Sequence, residues 1–226
     1  MGENCLPHNK KKSVVQNKIR KYAVDIAMLW LGKRKAQMSK QAKTLTAQEL
    51  RRVLDYIATR PHAARNRAML LTTHYAGLRV SEVATLRYSD LVDGEGRIQS
   101  EFRLRAAETK NGEARTVFVS ERLRKEIFAY VTATEFASND SRLFYTQKSN
   151  GFSANTLTQF FHHLYKRAGI AGASSHSGRR TFITTLAERG VSARVLMTLA
   201  GHKNLSTTQC YIDVRDDMMR NAVELV

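Results

Sequence analysis

Apolar residues recur at helical spacing along most of the chain. Thr46 and Glu49 form a capping-box pattern, and apolar residues follow at steps of three and four from Leu50 to Ile57, which predicts a helix that begins here. Gly77 and Gly201 each follow an apolar run and suit a left-handed helix end. Further helices are predicted over residues 63–75, 81–86, 121–133, 153–168, 177–189, 192–199 and 206–214.

Between residues 100 and 120 the apolar period changes to two. Phe102 and Leu104 alternate with arginines, and Val117 and Val119 alternate with Thr116 and Phe118. The intervening Asn111-Gly112 pair is a strong hairpin-turn signal. We therefore expect an α+β fold: a mostly helical domain with one small antiparallel sheet.

The first 43 residues are predicted to be a basic arm and helix in front of a main domain over residues 44–226. Residues 1–12 are polar and end in Lys10-Lys11-Lys12, which predicts a disordered basic segment. From Val15 to Leu29, apolar residues at 4-3-4-3 steps predict one helix. That helix either packs on its own domain or contacts DNA or another subunit, since Lys18, Arg20 and Lys21 lie on its opposite face.

The charge of the chain is unusual. Its 226 residues contain 37 Lys and Arg against 20 Asp and Glu, a net charge of +17. Residues 1–43 hold eleven Lys and Arg and two acidic residues. Such an excess attracts polyanions, either nucleic acid or an acidic membrane surface.

Composition argues against a membrane span and against a disulfide framework. The most apolar stretch, residues 23–31, is nine residues long and contains Asp25, whereas a spanning helix needs about 20 apolar residues. Its flanks also lack the features of a signal peptide. The two cysteines, Cys5 and Cys210, form neither a disulfide framework nor a zinc motif. We expect a cytoplasmic protein without membrane contact.

Two motifs lie in the first half of the main domain. In GLRVSE, Arg79 lies between two predicted helices, and Glu82 three residues later is placed to orient its guanidinium. In TKNGEAR, Lys110 lies at the tip of the predicted hairpin. Taken alone, each is more typical of a solvent-exposed cation than of a catalytic residue.

Two further motifs lie near the C-terminus. In HSGRRT, His176 and Arg179 share one face at the start of a helix, where backbone N–H groups favour a phosphate, while Arg180 points elsewhere and is expected to contact solvent or a DNA phosphate. In the segment from Gly201, Ser206 or Thr207 is expected to cap a short helix that contains Tyr211, with His202 in the loop before it.

Together these residues suit phosphoryl transfer without a metal ion. Cationic donors stabilise the charge that develops on non-bridging oxygens, and a tyrosine hydroxyl, with a pKa of about 10, needs such cations or a neighbouring base to react at neutral pH. In this order, with nine residues from His202 to Tyr211, the motifs resemble the catalytic domain of the tyrosine recombinase (phage integrase) family. The resemblance covers about residues 44–214 and rests on Arg79, Lys110, His176, Arg179, His202 and Tyr211.

The resemblance implies a role for each residue. Tyr211 attacks a DNA phosphodiester, forming a 3′-phosphotyrosyl bond and freeing a 5′-hydroxyl. Lys110 protonates the leaving oxygen, with Lys125 and Lys148 as alternatives, and His176 assists proton movement at the tyrosine. No metal, ATP or other cofactor is implied. The residues that hold the non-bridging oxygens are Arg79, Arg179 and His202, with Glu82 restraining Arg79.

The resemblance also implies partners. It implies binding to double-stranded DNA, DNA integration or inversion of the kind found in mobile genetic elements, and a dimer or tetramer on DNA. The tail after Tyr211 either docks on a neighbouring subunit or on its own domain. Expected DNA contacts are Lys10, Lys11, Lys12, Lys18, Lys21, Lys33, Arg34, Lys35 and Arg180.

The chain departs from the family at its N-terminus. Family members usually carry a core-binding domain of roughly a hundred residues ahead of the catalytic domain, whereas only 43 residues precede it here. We expect either a short member, resembling the fimbrial phase-switch invertases, or part of a longer protein. Alternative functions are a type IB-like topoisomerase or a catalytically silent DNA-binding regulator. A metal-dependent nuclease would need a carboxylate cluster that the motifs lack.

Overall fold

The computed structural model describes residues 41–109, 112–147, 149–212, 219–220 and 223–224. The chain divides into the units Met1–Gln41 and Ala42–Val226, and everything below concerns the second. In the described part, the α-helices are α1 (Ala47–Ala58), α2 (Ala63–Tyr75), α3 (Val80–Thr85), α4 (Tyr88–Leu91), α5 (Glu121–Thr132), α6 (Ala154–Arg167), α7 (Ser177–Glu188), α8 (Ala193–Ala200) and α9 (Leu205–Gln209), and one 3-10 helix covers Ala106–Glu108. The strands β1 (Glu101–Leu104) and β2 (Arg115–Phe118) form one sheet, so the predicted fold class is confirmed.

Helix starts follow local capping chemistry. The Thr46 side chain accepts a hydrogen bond from the Glu49 backbone N–H at 3.2 Å, and the Glu49 carboxylate accepts from the Thr46 N–H at 3.0 Å, so the predicted capping box is present. Serine side chains cap α5, α6 and α8 in the same way. Gly77 and Gly201 have φ angles of +63° and +61°, the left-handed conformation predicted for them.

Helix α2 lies in the core, against α5 and α7. Its residues from Ala68 to Thr73 are buried. Helix α7 approaches α2 closely at Gly178, where an added Cβ atom would lie 2.1 Å from Thr73 Oγ1. This contact fixes the start of α7, which carries two of the predicted site residues.

The sheet has the predicted antiparallel pairing, with Phe102 opposite Val117 and Leu104 opposite Arg115. Phe102, Leu104, Val117 and Val119 are buried, as the alternation predicts. The ladder ends at Leu104 and Arg115, so the turn signal lies within a longer connection over residues 105–114. There the Gly112 N–H donates to the Thr109 carbonyl at 3.2 Å, while Lys110 and Asn111 lie outside the described residues.

Two elements differ from the prediction. Helix α4 has four residues, too few for an apolar period to predict. Helix α9 begins after Asn204, which makes no side-chain cap hydrogen bond, so neither Ser206 nor Thr207 caps it. It ends at Gln209, and Tyr211 therefore lies in the turn beyond the helix, because α9 is too short to contain it.

Three predicted features fall on parts of the chain that are not described. These are the basic segment Lys10-Lys11-Lys12, the helix from Val15 to Leu29, and much of the tail after residue 212. Among the residues that are described, no helix is both long and apolar enough to cross a bilayer.

Candidate active site

A buried carboxylate holds two arginines at the start of α3. Glu82 is 0% exposed, and its Oε1 accepts a hydrogen bond from Arg79 Nη1 at 2.9 Å while its Oε2 accepts from Arg115 Nη2 at 2.8 Å. The Arg79 Nη2 group donates to the Gly201 carbonyl at 3.0 Å. Glu82 therefore contacts the Arg79 guanidinium as the sequence predicts, and it binds Arg115 as a second arginine.

Arg179 is almost completely buried, at 4% exposure. Its Nη1 donates to the Gly77 carbonyl and its Nη2 to the Ala200 carbonyl, both at 2.6 Å, and Nη2 also contacts His202 Nε2 at 2.9 Å. These contacts fix the plane of the guanidinium while using three of its five N–H groups. Burial, and then the charges of Arg79 and Arg115, lower the pKa of Arg179 to about 9, so it remains protonated at neutral pH.

His202 is held on both ring nitrogens. A guanidinium only donates hydrogen bonds, so Nε2 accepts from Arg179, and Nδ1 carries the proton and donates to Thr208 Oγ1 at 2.9 Å. Thr208 is fully buried. Burial, then the charges of Arg179, Arg79 and Arg115, lower the pKa of His202 to about 4. The imidazole is therefore neutral at physiological pH.

Tyr211 faces this cluster. Its ring stacks on that of His202, with centroids 5.7 Å apart and planes 21° from parallel. The phenol group of Tyr211 raises the pKa of Arg179. This effect is smaller than the lowering of that pKa by burial and by the charges of Arg79 and Arg115. A cleft of about 420 Å³ is lined by Arg79, His176, Arg179, His202, Lys203, Asn204, Thr207 and Tyr211. Five of the six residues predicted to be catalytic thus lie around one cleft.

The sequence profile of the Phage integrase family matches residues 43–218, more than three quarters of the chain. The chain belongs to the phage integrase family.

Curated relatives in this family are named tyrosine recombinases. The chain is 35% identical over 185 residues to tyrosine recombinase XerA of Thermococcus kodakarensis, covering 80% of this chain and 62% of XerA. It is 30% identical over 185 residues to tyrosine recombinase XerD of Neisseria meningitidis serogroup A, covering 80% and 61%. The chain thus spans about three fifths of the length of these relatives.

Solved structures of the family share the fold. The crystal structure of XerA recombinase superposes with a TM-score of 0.64 at 25% identity, covering 82% of this chain and 65% of that one. The catalytic domain of bacteriophage HP1 integrase superposes with a TM-score of 0.59 at 20% identity, covering 81% and 95%. The described domain therefore has the fold of an integrase catalytic domain.

In this integrase-family chain, Lys110 is the predicted catalytic residue that lies outside the described residues. Its neighbour Thr109 lines, with Arg79 and His202, a cavity of about 190 Å³ beside the cleft. Lys203, in the loop after α8, pairs with Glu113 at 3.3 Å. The connection between the strands therefore adjoins the site. The alternative Lys125 lines a separate cavity with Glu95 and Phe128, and Lys148 is also outside the described residues.

The predicted DNA contacts divide in two. Lys10, Lys11, Lys12, Lys18, Lys21, Lys33, Arg34 and Lys35 lie outside the described residues. Arg180 is described and half-buried: its Nε donates to Thr44 Oγ1 at 3.2 Å, and its guanidinium carbon lies 5.2 Å from the centre of the Tyr211 ring. Its guanidinium therefore faces the tyrosine ring rather than only solvent.

Sequence reasoning missed two residues that hold the site together. Arg115 bridges Glu82 and the Leu199 carbonyl, at 2.8 and 3.0 Å, and the Thr208 hydroxyl accepts the Nδ1 proton of His202. Arg115 is the last residue of the TKNGEAR motif, so the sequence places it beside Lys110. The sequence does not indicate its contact with Glu82, which lies 33 positions earlier. The described residues contain no group of three or more His, Cys, Asp or Glu side chains placed to bind a metal ion.

Proposed function

We propose that this chain is a tyrosine-type site-specific DNA recombinase of the integrase type, which cuts and rejoins DNA strands through a 3′-phosphotyrosyl intermediate. The observation that carries the proposal is the single cleft lined by Arg79, His176, Arg179, His202 and Tyr211. It combines a tyrosine with fixed cationic donors and with no nearby metal-binding cluster in the described residues.

The cleft suits a phosphodiester in its transition state. Arg79 and Arg179 are anchored by carboxylate and carbonyl groups, so their remaining N–H groups are held in fixed directions before substrate binds. Preorganised donors of this kind stabilise developing charge without the cost of reorganisation. In the proposal, Arg79 and Arg179 hold the non-bridging oxygens. The sequence predicts the same role for His202, but its Nε2 accepts from Arg179 and its Nδ1 donates to Thr208, so in this geometry the neutral imidazole orients Arg179 instead.

The reaction exchanges one phosphoester bond for another. The Tyr211 oxygen attacks phosphorus, the bond to the 5′ oxygen breaks, and the tyrosine proton leaves with assistance from His176. Lys110 donates a proton to the 5′ oxygen. We prefer Lys110 to Lys125 for this step because the connection over residues 105–114 adjoins the site. Attack by a 5′-hydroxyl reverses the step and reseals the DNA, so neither ATP nor a metal ion is needed.

Double-stranded DNA is the proposed partner, with a dimer or tetramer assembled on it. The net charge of +17 supports DNA binding. So do two structural neighbours: the Tn1549 transposon integrase in complex with a circular intermediate DNA and the XerH site-specific recombinase bound to the palindromic difH substrate. The transposon integrase also supports a role in a mobile genetic element.

The alternative functions are less well supported. A silent DNA-binding regulator has no need of a neutral histidine, fixed by Thr208 and Arg179, against a tyrosine ring. A relaxing topoisomerase would use the same chemistry, but the similar curated proteins are recombinases.

A covalent trapping assay tests the proposal. The full chain is incubated in EDTA with labelled DNA flanking its own gene, containing nicks that let the 5′ fragment escape. We expect an SDS-stable adduct that Tyr211→Phe abolishes. The control is Tyr145→Phe, which removes a hydroxyl that donates to the Glu135 carbonyl outside the cleft and should leave the adduct intact. Binding without any adduct would favour the regulator. Relaxation of supercoiled DNA without a preferred site would favour the topoisomerase.

A further inference from the structure

Tyr211 has little backbone support of its own. It lies beyond the last residue of α9, in a turn where its N–H donates to the Thr208 carbonyl at 2.9 Å. The described side-chain contacts of its ring are the His202 imidazole and the Arg180 guanidinium. The direction of the phenol oxygen therefore depends on these two side chains.

Arg180 is itself held in place. Its Nε donates to Thr44 Oγ1 at 3.2 Å. Next to Thr44, the Leu45 N–H donates to Thr181 Oγ1 at 2.8 Å, so the segment before α1 is joined to α7 at two successive residues. The contact with Thr44 uses the Nε–H group, which leaves the four N–H groups on Nη1 and Nη2 unused by this bond. The guanidinium carbon lies over the Tyr211 ring.

The contact between Arg180 and Tyr211 has the geometry of a cation–π pair. A guanidinium within about 6 Å of an aromatic ring centre is attracted to the negative face of the ring, and the observed separation is 5.2 Å. A planar guanidinium also covers a ring face in a way that a lysine ammonium does not. This attraction restrains the ring without forming a bond to its hydroxyl.

We propose that Arg180 is a positioning residue for the nucleophile, which holds the Tyr211 ring against His202 from an anchor on Thr44. This inference rests on the proposed function. It replaces a phosphate contact as the main role of Arg180. It also makes the segment just before α1 part of the machinery that orients the tyrosine.

Two measurements on the full chain separate positioning from phosphate binding. The first is the rate of adduct formation at saturating nicked DNA, measured beside the DNA dissociation constant and its salt dependence. The second needs no DNA: 3-fluorotyrosine is placed at position 211, and its ¹⁹F resonance is recorded for the free protein. The variants are Arg180→Ala, Arg180→Lys and Thr44→Val. Arg189→Ala, at the exposed end of the same helix, is the control.

We expect Arg180→Ala to slow adduct formation about tenfold, with DNA affinity changed less than about twofold. Arg180→Lys should recover part of the rate, and Thr44→Val should lose about threefold, because the anchor hydroxyl is gone. The ¹⁹F resonance should shift or sharpen in Arg180→Ala and Thr44→Val, and stay unchanged in Arg189→Ala.

Two results would overturn the proposal. One is an unchanged ¹⁹F resonance in Arg180→Ala. The other is an unchanged rate at saturating DNA together with weaker binding and a salt slope reduced by about one, which is the behaviour expected when a phosphate-binding side chain is removed. If the unaltered chain forms no adduct on any DNA, the proposed function fails, and the ¹⁹F measurement still decides whether Arg180 positions the ring.

Discussion

Nε2 of His202 lies 2.9 Å from Nη2 of Arg179, and this contact is a hydrogen bond only while the imidazole is neutral. A protonated ring would have no acceptor for the guanidinium and would add a charge beside Arg179 and Arg79. The pKa of about 4 for His202 agrees with this geometry. The histidine can therefore both orient Arg179 and present a neutral ring to Tyr211 throughout the physiological range.

The stability of the protein is expected to fall as the pH is lowered from about 6.5 toward 4. The pKa of His202 is lowered from 6.5 to about 4 in the folded chain, so between these values the unfolded chain binds more protons, and acid favours unfolding. Because His202 is only half-buried, we expect its contribution to be about 1 kcal/mol. Burial also lowers the pKa of His74 to about 4, which acts in the same direction.

Urea unfolding at several pH values between 7 and 4 measures this dependence. His202→Gln should reduce the slope of unfolding free energy against pH, because the titrating group is removed. His163→Gln, at an exposed position on α6, is the matched control and should leave the slope as it was. A slope unaffected by His202→Gln would contradict the assignment of a neutral, half-buried imidazole.

Replacement of Glu82 by Gln is expected to damage both stability and catalysis. The carboxylate is fully buried and pairs with both Arg79 and Arg115, so its loss leaves both guanidinium groups without the counter-charge that they share. Removing one partner from a buried ion pair costs about 3–5 kcal/mol. The free energy of unfolding should fall by about 3 kcal/mol, and adduct formation at saturating DNA should slow by at least about tenfold.

The control for this variant is Glu121→Gln. Glu121 pairs with Arg124 at 3.0 Å on the surface, where an ion pair contributes about 0–1 kcal/mol. It should unfold within about 0.5 kcal/mol of the unaltered chain. If Glu82→Gln behaved like Glu121→Gln, the Arg79–Glu82–Arg115 network would not be what holds the site.

The features that the sequence predicted well are set by neighbouring residues. The start of α1 needs only Thr46 and Glu49, and the helix ends at Gly77 and Gly201 need only a residue that tolerates a positive φ. The burial of alternate residues in β1 and β2 likewise follows from a period of two. Each of these features depends only on residues close together in the sequence, so it can be predicted without knowledge of the fold.

The features that the sequence did not predict depend on distant contacts. Arg115 meets Glu82 across 33 positions, and Tyr211 meets Arg180 across the space between α7 and the turn after α9. The position of Tyr211 beyond α9 follows from the early end of that helix, which is packed on α8. Local patterns indicated the residues of the site, whereas their mutual support required the tertiary structure.

Replacement of Gly178 by Ala is expected to destabilise the protein and displace Arg179. An added Cβ would lie 2.1 Å from Thr73 Oγ1 and 2.9 Å from Thr73 Cβ, so α7 must move away from α2. Overpacking of this kind costs about 1–3 kcal/mol. In a double-mutant cycle, Thr73→Ala should recover part of the loss. The control is Gly94→Ala, which meets nothing within 4 Å; equal effects of the two alanines would refute the close contact.

Neutralising the N-terminal lysines is expected to weaken DNA binding without changing the chemical step. Residues 1–43 carry eleven Lys and Arg and two acidic residues. If Lys10, Lys11 and Lys12 contact phosphates, their replacement by Gln should reduce the slope of log affinity against log salt by about 0.9 for each phosphate that is no longer neutralised. The same change at Lys33, Arg34 and Lys35 tests the second cluster, and Lys166→Gln on α6 is the control.

The rate of adduct formation at saturating DNA should be unchanged in every case, because the catalytic cleft is left intact. An unaltered affinity and salt slope in both triple variants would show that these two clusters contribute no DNA contact, and binding would then have to come from the remaining N-terminal cations, such as Lys18 and Lys21, or from the domain that begins at Thr44.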